Sequence, residues 1–271
     1  IIADPRNDEN LIISQLQLAF LKFHNRVFSD IKLANPSFTI QQLVTETKKI
    51  VIWHYQWLVV NEFLSGLCGK FYSRLFDAAG KPVIHPNIQA MYPNLPIELA
   101  GAVYRFGHSM IRDAYYLNSN FDVFPIFSPT LPAPLTSIPD LRGFKQLAPN
   151  QTIDWSMFFP LPFHKGYQVT ENNDTFMTEA LFTLPMPAIV SDQPNILPLR
   201  SLMRGATVYQ LPSGQDLAMS LGIPESEILR ASSGNLVIQS LNTLITPTDI
   251  NHLTTVFGEQ TPLFYYTLKD N

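Results

Sequence analysis

Residues 12–31, IISQLQLAFLKFHNRVFSDI, carry the pattern that decides the fold class. Apolar side chains recur there every three or four residues, at Ile12, Leu16, Phe20, Phe23, Val27 and Ile31. This spacing places one apolar stripe along an α-helix. The dipeptide Asn35-Pro36 predicts its end, because the residue before a proline disfavours helical geometry.

Further helices are predicted along the rest of the chain. Thr39 and Gln42 resemble a capping box at the start of a second long helix, which closes near Gly66 and Gly69. A third helix is expected over Glu98–Leu117. Shorter helices are expected near 152–159, 175–184, 196–209, 213–221, 224–231, 247–257 and 261–269. With no strand alternation in view, the sequence predicts an all-α fold.

Long irregular connections separate some of these helices. Prolines are concentrated in residues 82–96 and again in residues 124–150. The second stretch is also apolar, which argues against a flexible linker. No domain boundary stands out, so residues 1–271 are interpreted as a single domain.

Composition narrows the classes of function. The net charge of −4 gives no electrostatic basis for binding nucleic acid. Apolar residues make up 46% and charged residues 15% of the chain, so part of the surface is expected to face a cofactor or a partner. The longest apolar runs are too short to cross a membrane.

The predicted third helix contains a histidine beside an arginine. Arg105 and His108 are three residues apart, which puts them on one helix face. Gly107 between them costs about 1 kcal/mol relative to alanine in a helix, which indicates a close approach to the backbone there. This arrangement suits a histidine that binds a haem iron beside an arginine that pairs with a haem propionate. A packed structural histidine is the alternative.

Two other polar groups are candidates on weaker grounds. Arg6 and Glu9 lie just ahead of the first helix, where charged residues are also ordinary helix caps. Ser201 and Arg204 lie three residues apart and could surround a metal-bound histidine with polar groups. The remaining histidines have no zinc-site spacing.

Taken together, these segments resemble the animal-type haem peroxidases of the peroxidase–cyclooxygenase superfamily, with bacterial members expected to be the nearest. The resemblance covers nearly the whole chain. It rests on Asp4-Pro5-Arg6-Asn7-Asp8-Glu9-Asn10, Phe23-His24-Asn25-Arg26, Trp53-His54-Tyr55-Gln56-Trp57, Tyr104-Arg105-Phe106-Gly107-His108-Ser109, Ile153-Asp154-Trp155, Arg204-Gly205, Leu211-Pro212-Ser213-Gly214 and Thr261-Pro262-Leu263.

The resemblance implies a role for each candidate residue. His108 matches the proximal ligand of the haem iron, and Arg105 matches a residue near a haem propionate. Arg6 matches the catalytic distal arginine that polarises the O–O bond of hydrogen peroxide. Glu9 matches a glutamate that can form an ester with a haem methyl, and Arg204 matches an arginine of the haem pocket.

The implied activity is a haem b peroxidase that oxidises a small electron donor with hydrogen peroxide. In the family, a distal histidine and a calcium site lie in a segment before the Arg6 motif. We therefore expect this chain to be truncated at both ends and to need that segment for activity, with a separate chain as one possible source. The resemblance also favours a secreted or extracytoplasmic location.

Departures from the family pattern keep two alternatives open. The family usually has asparagine at position 201, where it accepts a hydrogen bond from the proximal histidine, whereas this chain has Ser201. That difference motivates a haem-free binding or structural module. Fatty-acid dioxygenases carry a radical tyrosine three residues before the proximal histidine. That position is Arg105 here, with Tyr104 one residue away, so a dioxygenase is disfavoured.

Overall fold

A computed structural model describes residues 4–83, 95–120, 122–128, 140–161, 166–185, 195–238 and 246–269. Those residues are mostly helical, and their only sheet has two strands. The predicted all-α class is therefore confirmed. None of the helices in the described ranges is both long enough and apolar enough to span a membrane.

The first two long helices form where the sequence predicts them. Helix α1 spans Leu11–Ala34, and the Asn10 side chain accepts a hydrogen bond from the Ile12 amide at its start. Helix α2 spans Ile40–Leu58 and begins with the predicted capping box. The two helices pack together, and their contact includes the ring pair Phe20–Tyr55.

The second helix continues with changes of helical type. A π-helical turn, Val59–Phe63, leads into helix α3, Leu64–Cys68, and then into a 3-10 helix, Gly69–Leu75. Gly69 has a φ of 48°, which a residue with a side chain rarely adopts. The predicted end of the helix near this glycine is confirmed.

The chain divides into two compact units, residues 1–84 with 141–153, and residues 85–140 with 154–271. Within the first unit, the Leu11 amide donates to the Leu141 carbonyl at 2.9 Å. The Gln15 side chain donates to the Gln151 carbonyl and accepts from the Ile153 amide. The start of α1 is thus tied to residues 141–153. The single-domain interpretation stays a prediction.

The predicted third helix is wrong in type and in length. Helix α4 covers only Ile97–Gly101, and a 3-10 helix follows at Val103–His108. The break lies at Ala102, whose φ is −136°. Four of the five residues at 103–107 are β-branched, aromatic or glycine, which are weaker α-helix formers than alanine or leucine. Ala102, Val103 and Phe106 pack into an apolar core instead, so tertiary packing sets the local geometry.

A short strand takes the place of the end of that predicted helix and pairs with a second strand beyond it. Strand β1, Ala114–Tyr116, pairs antiparallel with β2, Val123–Pro125, and Tyr115 lies opposite Phe124. The absence of any strand was therefore a wrong expectation at this point. Strands of three residues are too short to show alternation, and the sequence gives no usable signal for them.

Four helices of the C-terminal region confirm the prediction closely. They are α5 at Leu197–Met203, which continues as a π-helical turn at Arg204–Val208, α6 at Gly214–Ser220, α7 at Pro247–Phe257, and α8 at Leu263–Lys269. Three other predicted helices shrink to single 3-10 turns, at Trp155–Met157, Glu179–Leu181 and Glu225–Glu227.

The proline-rich connections are described only in part. Residues 140–148 contain no helix, as the irregular segment predicts. Residues 84–94 and 129–139, which hold most of the predicted irregular stretches, lie outside the described residues.

Candidate functional site

The 3-10 helix Val103–His108 puts the candidate iron ligand and its neighbouring arginine on one side of the backbone. In a 3-10 helix the side chains at positions i and i+3 eclipse each other, because one turn takes about three residues. Arg105 and His108 therefore project in the same direction. The Arg105 Nε donates to the Ala100 carbonyl at 3.2 Å, which anchors the guanidinium end of this side chain.

A second arginine lies close to the first. Helix α4 packs against the π-helical turn 204–208, and a Cβ at Gly101 would lie only 2.9 Å from the Tyr209 ring. Arg204, at the start of that turn, is near enough to lower the pKa of Arg105, although burial of Arg105 is the larger cause. The Nη1 atom of Arg204 is buried and has no hydrogen-bond partner among the described residues.

The His108 imidazole is largely enclosed and is neutral at neutral pH. The pKa of His108 falls from 6.5 to about 4, chiefly because the ring is buried, and the charges of Arg105 and Arg204 contribute to the same shift. Its ring lies edge-on to Phe264 of α8, with the ring centroids 6.2 Å apart. The Nδ1 atom is buried without a hydrogen-bond partner in the described structure. A neutral imidazole is the form that binds a metal ion.

Ser201 is completely buried in α5, one helical turn before Arg204. Its hydroxyl also lacks a hydrogen-bond partner within the described ranges. Ser201 and His108 are therefore not hydrogen-bonded to each other. The family resemblance implies a hydrogen-bond acceptor for the proximal histidine at position 201. Ser201 does not accept such a bond here, so this chain differs from the family in contact as well as in residue type.

Gly107 was predicted to allow a close approach to the backbone. Apart from Gly107's own chain neighbours and the backbone of its own helix, no described heavy atom lies within 4 Å of a Cβ built at this residue. The protein itself therefore does not fill the space beside Gly107. An open backbone next to a neutral, partly enclosed imidazole fits the side of a bound planar group.

Helix α8, which supplies Phe264, is held by a buried hydrogen-bond network that sequence reasoning missed. The fully buried Gln215 donates to the Thr261 hydroxyl and to the Leu229 carbonyl, and it accepts from the Thr261 amide. A Cβ at Gly214 would overlap the Tyr266 ring, so α6 and α8 approach very closely there. The motifs at 211–214 and 261–263 marked this region, but nothing in them identified Gln215 or Phe264.

Arg6 and Glu9 both lie in the first compact unit, where Arg6 pairs with Asp4 and Glu9 is near enough to affect its pKa. Arg6 is in a 3-10 helix, Pro5–Asp8, and its side chain is 80% exposed. Two hydrogen bonds of 2.8 and 2.6 Å join its guanidinium to the Asp4 carboxylate. This contact lowers the pKa of Asp4 to about 2 and raises the pKa of Arg6, to which Glu9 also contributes.

Residues 142–144 fix the backbone of the segment that carries Arg6 and Glu9. The Gly143 amide donates to the Glu9 carbonyl at 3.0 Å, and the Phe144 amide donates to the Asp8 carbonyl at 3.1 Å. A Cβ on Gly143 would collide with that Asp8 carbonyl. Gly143 is thus a positional requirement that the sequence did not reveal, because its partner is more than one hundred residues away.

No group of three or more His, Cys, Asp or Glu side chains in the described part of the chain could hold a metal ion. A haem iron needs only one such protein ligand, so a single histidine is the relevant feature. Tyr104 is 61% exposed and contacts Phe106, which gives no support to a tyrosine directed at the haem side.

The chain belongs to the animal haem peroxidase family. The sequence model of that family, described as animal haem peroxidase, matches residues 1–181. The match includes Arg6, Glu9, Arg105 and His108, whereas Ser201 and Arg204 lie beyond it.

Known animal proteins show the same relationship over part of their length. The chain is 28% identical over 182 residues to a chorion peroxidase of Aedes aegypti, a match that covers 66% of this chain and 21% of that protein. It is 30% identical over 113 residues to heme peroxidase 2 of Caenorhabditis elegans, covering 40% and 16%. It is 26% identical over 113 residues to a peroxidase-like protein of Margaritifera margaritifera, covering 41% and 14%.

The similarity to these relatives supports assignment of this chain as a peroxidase, but it does not establish its substrates or the roles of its residues. The matched region spans 14% to 21% of their length, so the activity of the whole proteins is not transferred by the similarity alone. The expectation that bacterial members are nearest stays a prediction, as do the roles of the individual site residues.

Proposed function

We propose that this chain binds haem b through His108 and forms part of a peroxidase that oxidises a small electron donor with hydrogen peroxide. The observation that carries the proposal is the environment of His108. Its imidazole is neutral and largely enclosed, its Nδ1 is buried, and two arginines are near enough to lower its pKa. Family membership supplies the chemistry for which such a histidine is suited.

The residues of this chain would hold the group as follows. Because the Nδ1 of His108 is enclosed, Nε2 is the nitrogen left to bind iron. Arg105 and Arg204 would neutralise the anionic propionates, and their mutual repulsion would fall as a result. When bound, haem supplies the redox chemistry, in which peroxide takes two electrons and the donor returns them.

Arg6 and Glu9 are proposed for the peroxide side and for a covalent link, respectively. Arg6 carries a fixed positive charge that could stabilise a departing oxygen. Its present partner, the Asp4 carboxylate, competes for that charge, so release of this exposed ion pair belongs to the proposal. None of the proposed site residues would move the peroxide proton, and haem binding, rather than turnover, is therefore the property to test first.

The same observations keep a haem-free module as the second candidate. The buried hydroxyl of Ser201 has no described partner and provides no acceptor for His108. Hydrogen bonds to the second nitrogen of a metal-bound histidine orient the ring, and losing such a partner costs about 10–100-fold in metal affinity or activity. A descendant that no longer uses haem would tolerate this change.

Haem titration of the 271-residue chain separates the two candidates. We expect wild type to give a saturable Soret band with the spectrum of a histidine-ligated haem. His108→Ala should lose that spectrum, and added imidazole should restore it by entering the space of the deleted ring. His252→Ala is the matched control, because it removes an exposed histidine from α7.

Each result has a clear consequence. If His108→Ala keeps the wild-type spectrum, His108 is not the iron ligand. If wild type gives no specific haem complex while circular dichroism shows it folded, the haem-free module is favoured. Loss of the spectrum in both variants would point to a general loss of folding and would contradict a specific role for His108.

A further inference from the structure

A pocket in the C-terminal region is lined by none of the side chains assigned to haem. Helices α5, α7 and α8 and the π-helical turn after α5 surround a pocket of about 470 Å³. None of His108, Arg105, Ser201 and Arg204 lines it. Pockets that bind small molecules typically measure about 300–1,000 Å³. The pocket is thus large enough for a small ligand, and its lining side chains differ from those of the candidate iron site.

The lining is almost entirely apolar. Met203, Ile250, Leu253 and Phe257 contribute aliphatic and aromatic surface, and no charged side chain is among the described residues that line it. An anionic or cationic group would therefore lose its hydration there without gaining a counterion, which is unfavourable. The lining selects for a neutral molecule.

Two hydroxyl groups give the pocket limited polarity. The Thr207 hydroxyl already donates to the Met203 carbonyl at 2.7 Å. The Tyr265 hydroxyl makes no hydrogen bond within the described structure, and burial alone raises its pKa. Tyr265 can therefore donate to a ligand, whereas Thr207 is limited to accepting. One oxygen atom on an otherwise apolar molecule would match this arrangement.

The helical wall beside the pocket is irregular. Ala206 and Thr207 belong to the π-helical turn Arg204–Val208. Single π-helical turns are rare and occur frequently at functional sites, since they cost backbone hydrogen-bond geometry. The turn contains Arg204, which is assigned to haem, and Ala206, which lines the pocket, so it contributes to both regions.

We propose that this pocket binds a small neutral aromatic alcohol of the phenol class, with its ring against Phe257 and Leu253 and its oxygen on the Tyr265 hydroxyl. The inference goes beyond haem binding and does not depend on it. The volume, the uncharged lining and the unpaired donor carry the proposal together.

Binding of three matched probes to the haem-free chain tests the proposal. The probes are 4-ethylphenol, ethylbenzene and 4-ethylbenzoate, which share one alkyl-substituted ring and differ in the polar group. Isothermal titration should rank 4-ethylphenol first, ethylbenzene several-fold weaker, and the anion at least tenfold weaker than the phenol. Equal affinity for the anion and the phenol would overturn the proposed neutral specificity.

Variants locate the binding site. Tyr265→Phe should weaken 4-ethylphenol about fivefold and leave ethylbenzene unchanged, because it removes one hydrogen bond and little volume. Ala206→Phe should abolish binding of both by filling the pocket. Val208→Phe is the control, since Val208 lies two residues further on, is 68% exposed and does not line the pocket.

Wild-type measurements keep the test decisive if Ala206→Phe fails to fold. Two-dimensional NMR of the wild-type chain with 4-ethylphenol should then shift resonances of Leu253, Phe257 and Tyr265. Shifts confined to other parts of the chain would overturn the assignment. So would a Tyr265→Phe variant that binds 4-ethylphenol with the same affinity as wild type.

Discussion

The neutral state of His108 makes a measurable prediction about stability and pH. Below its ordinary pKa of 6.5, a histidine in the unfolded chain binds a proton, whereas folded His108 stays neutral until about pH 4. The unfolded state therefore binds more protons in this window. Stability is lost as the pH falls from about 6.5 to about 4 and changes little through this group above that range.

The size of the effect follows from the two pKa values. A tenfold difference in proton affinity between the two states corresponds to about 1.4 kcal/mol. The fall from 6.5 to about 4 therefore predicts that His108 alone lowers the free energy of unfolding by about 3 kcal/mol by the acid end of the window. Burial of the ring and its two neighbouring arginines are the physical origin.

His108→Leu isolates this contribution. Leucine does not titrate, and it replaces a ring whose Nδ1 has no described partner, so we expect little loss of stability at pH 7. Urea unfolding of the haem-free chain should be measured between pH 7 and pH 4. As the pH falls over this range, the free energy of unfolding of the variant should rise relative to that of wild type by about 3 kcal/mol. His252→Leu, which removes an exposed histidine from α7, is the matched control.

Two results would refute this reasoning. The first is a His108→Leu variant with the same pH dependence as wild type. The second is an NMR titration in which the His108 ring protonates near pH 6.5, the value of an unperturbed histidine. Either outcome would mean that solvent reaches the imidazole or that the two arginines lie further away.

Three further substitutions test other parts of the structure by urea unfolding at pH 7. Gln215→Leu should cost about 3 kcal/mol or more, because it leaves the buried amide and hydroxyl of Thr261 with fewer partners. Ser201→Ala should change stability by less than about 1 kcal/mol, since the buried hydroxyl has no described partner to lose. Gly143→Ala should cost more than about 2 kcal/mol, because its methyl group would collide with the Asp8 carbonyl.

The same three variants can contradict the structure. A Gln215→Leu protein as stable as wild type would mean that the network does not hold α8. A loss above about 1 kcal/mol in Ser201→Ala would show that the hydroxyl has a partner in solution. A stable Gly143→Ala protein would show that residues 142–144 do not pair with Asp8 and Glu9. Each variant therefore tests one contact.

The sequence predicted the long helices well because their signals are local. The apolar stripe of α1 and the capping box of α2 depend on residues within a few positions of each other. The helix expected over Glu98–Leu117 was wrong because Ala102, Val103 and Phe106 pack against distant parts of the chain. A pattern within one segment does not report such contacts.

In the candidate site, too, residues with a local sequence signal were predicted and residues that depend on long-range contacts were missed. His108 and Arg105 were found from their spacing and from the family motif, and the 3-10 geometry keeps them on one side. Gln215 and Phe264 were missed because their importance depends on contacts across 46 and more than 150 residues, respectively. Long-range positioning groups leave no local signature in a single sequence.

The electrostatics around His108 bear on the choice between a haem protein and a haem-free module. Arg105 and Arg204 repel each other, and neither forms an ion pair with a carboxylate in the described part of the chain. Bringing two cations together while burying part of each is unfavourable unless an anion joins them. A module that never binds haem gains nothing from this arrangement, and mutation would be free to remove it. Two propionates would relieve the repulsion at the same place, so the paired arginines favour the haem-binding proposal despite the change to Ser201.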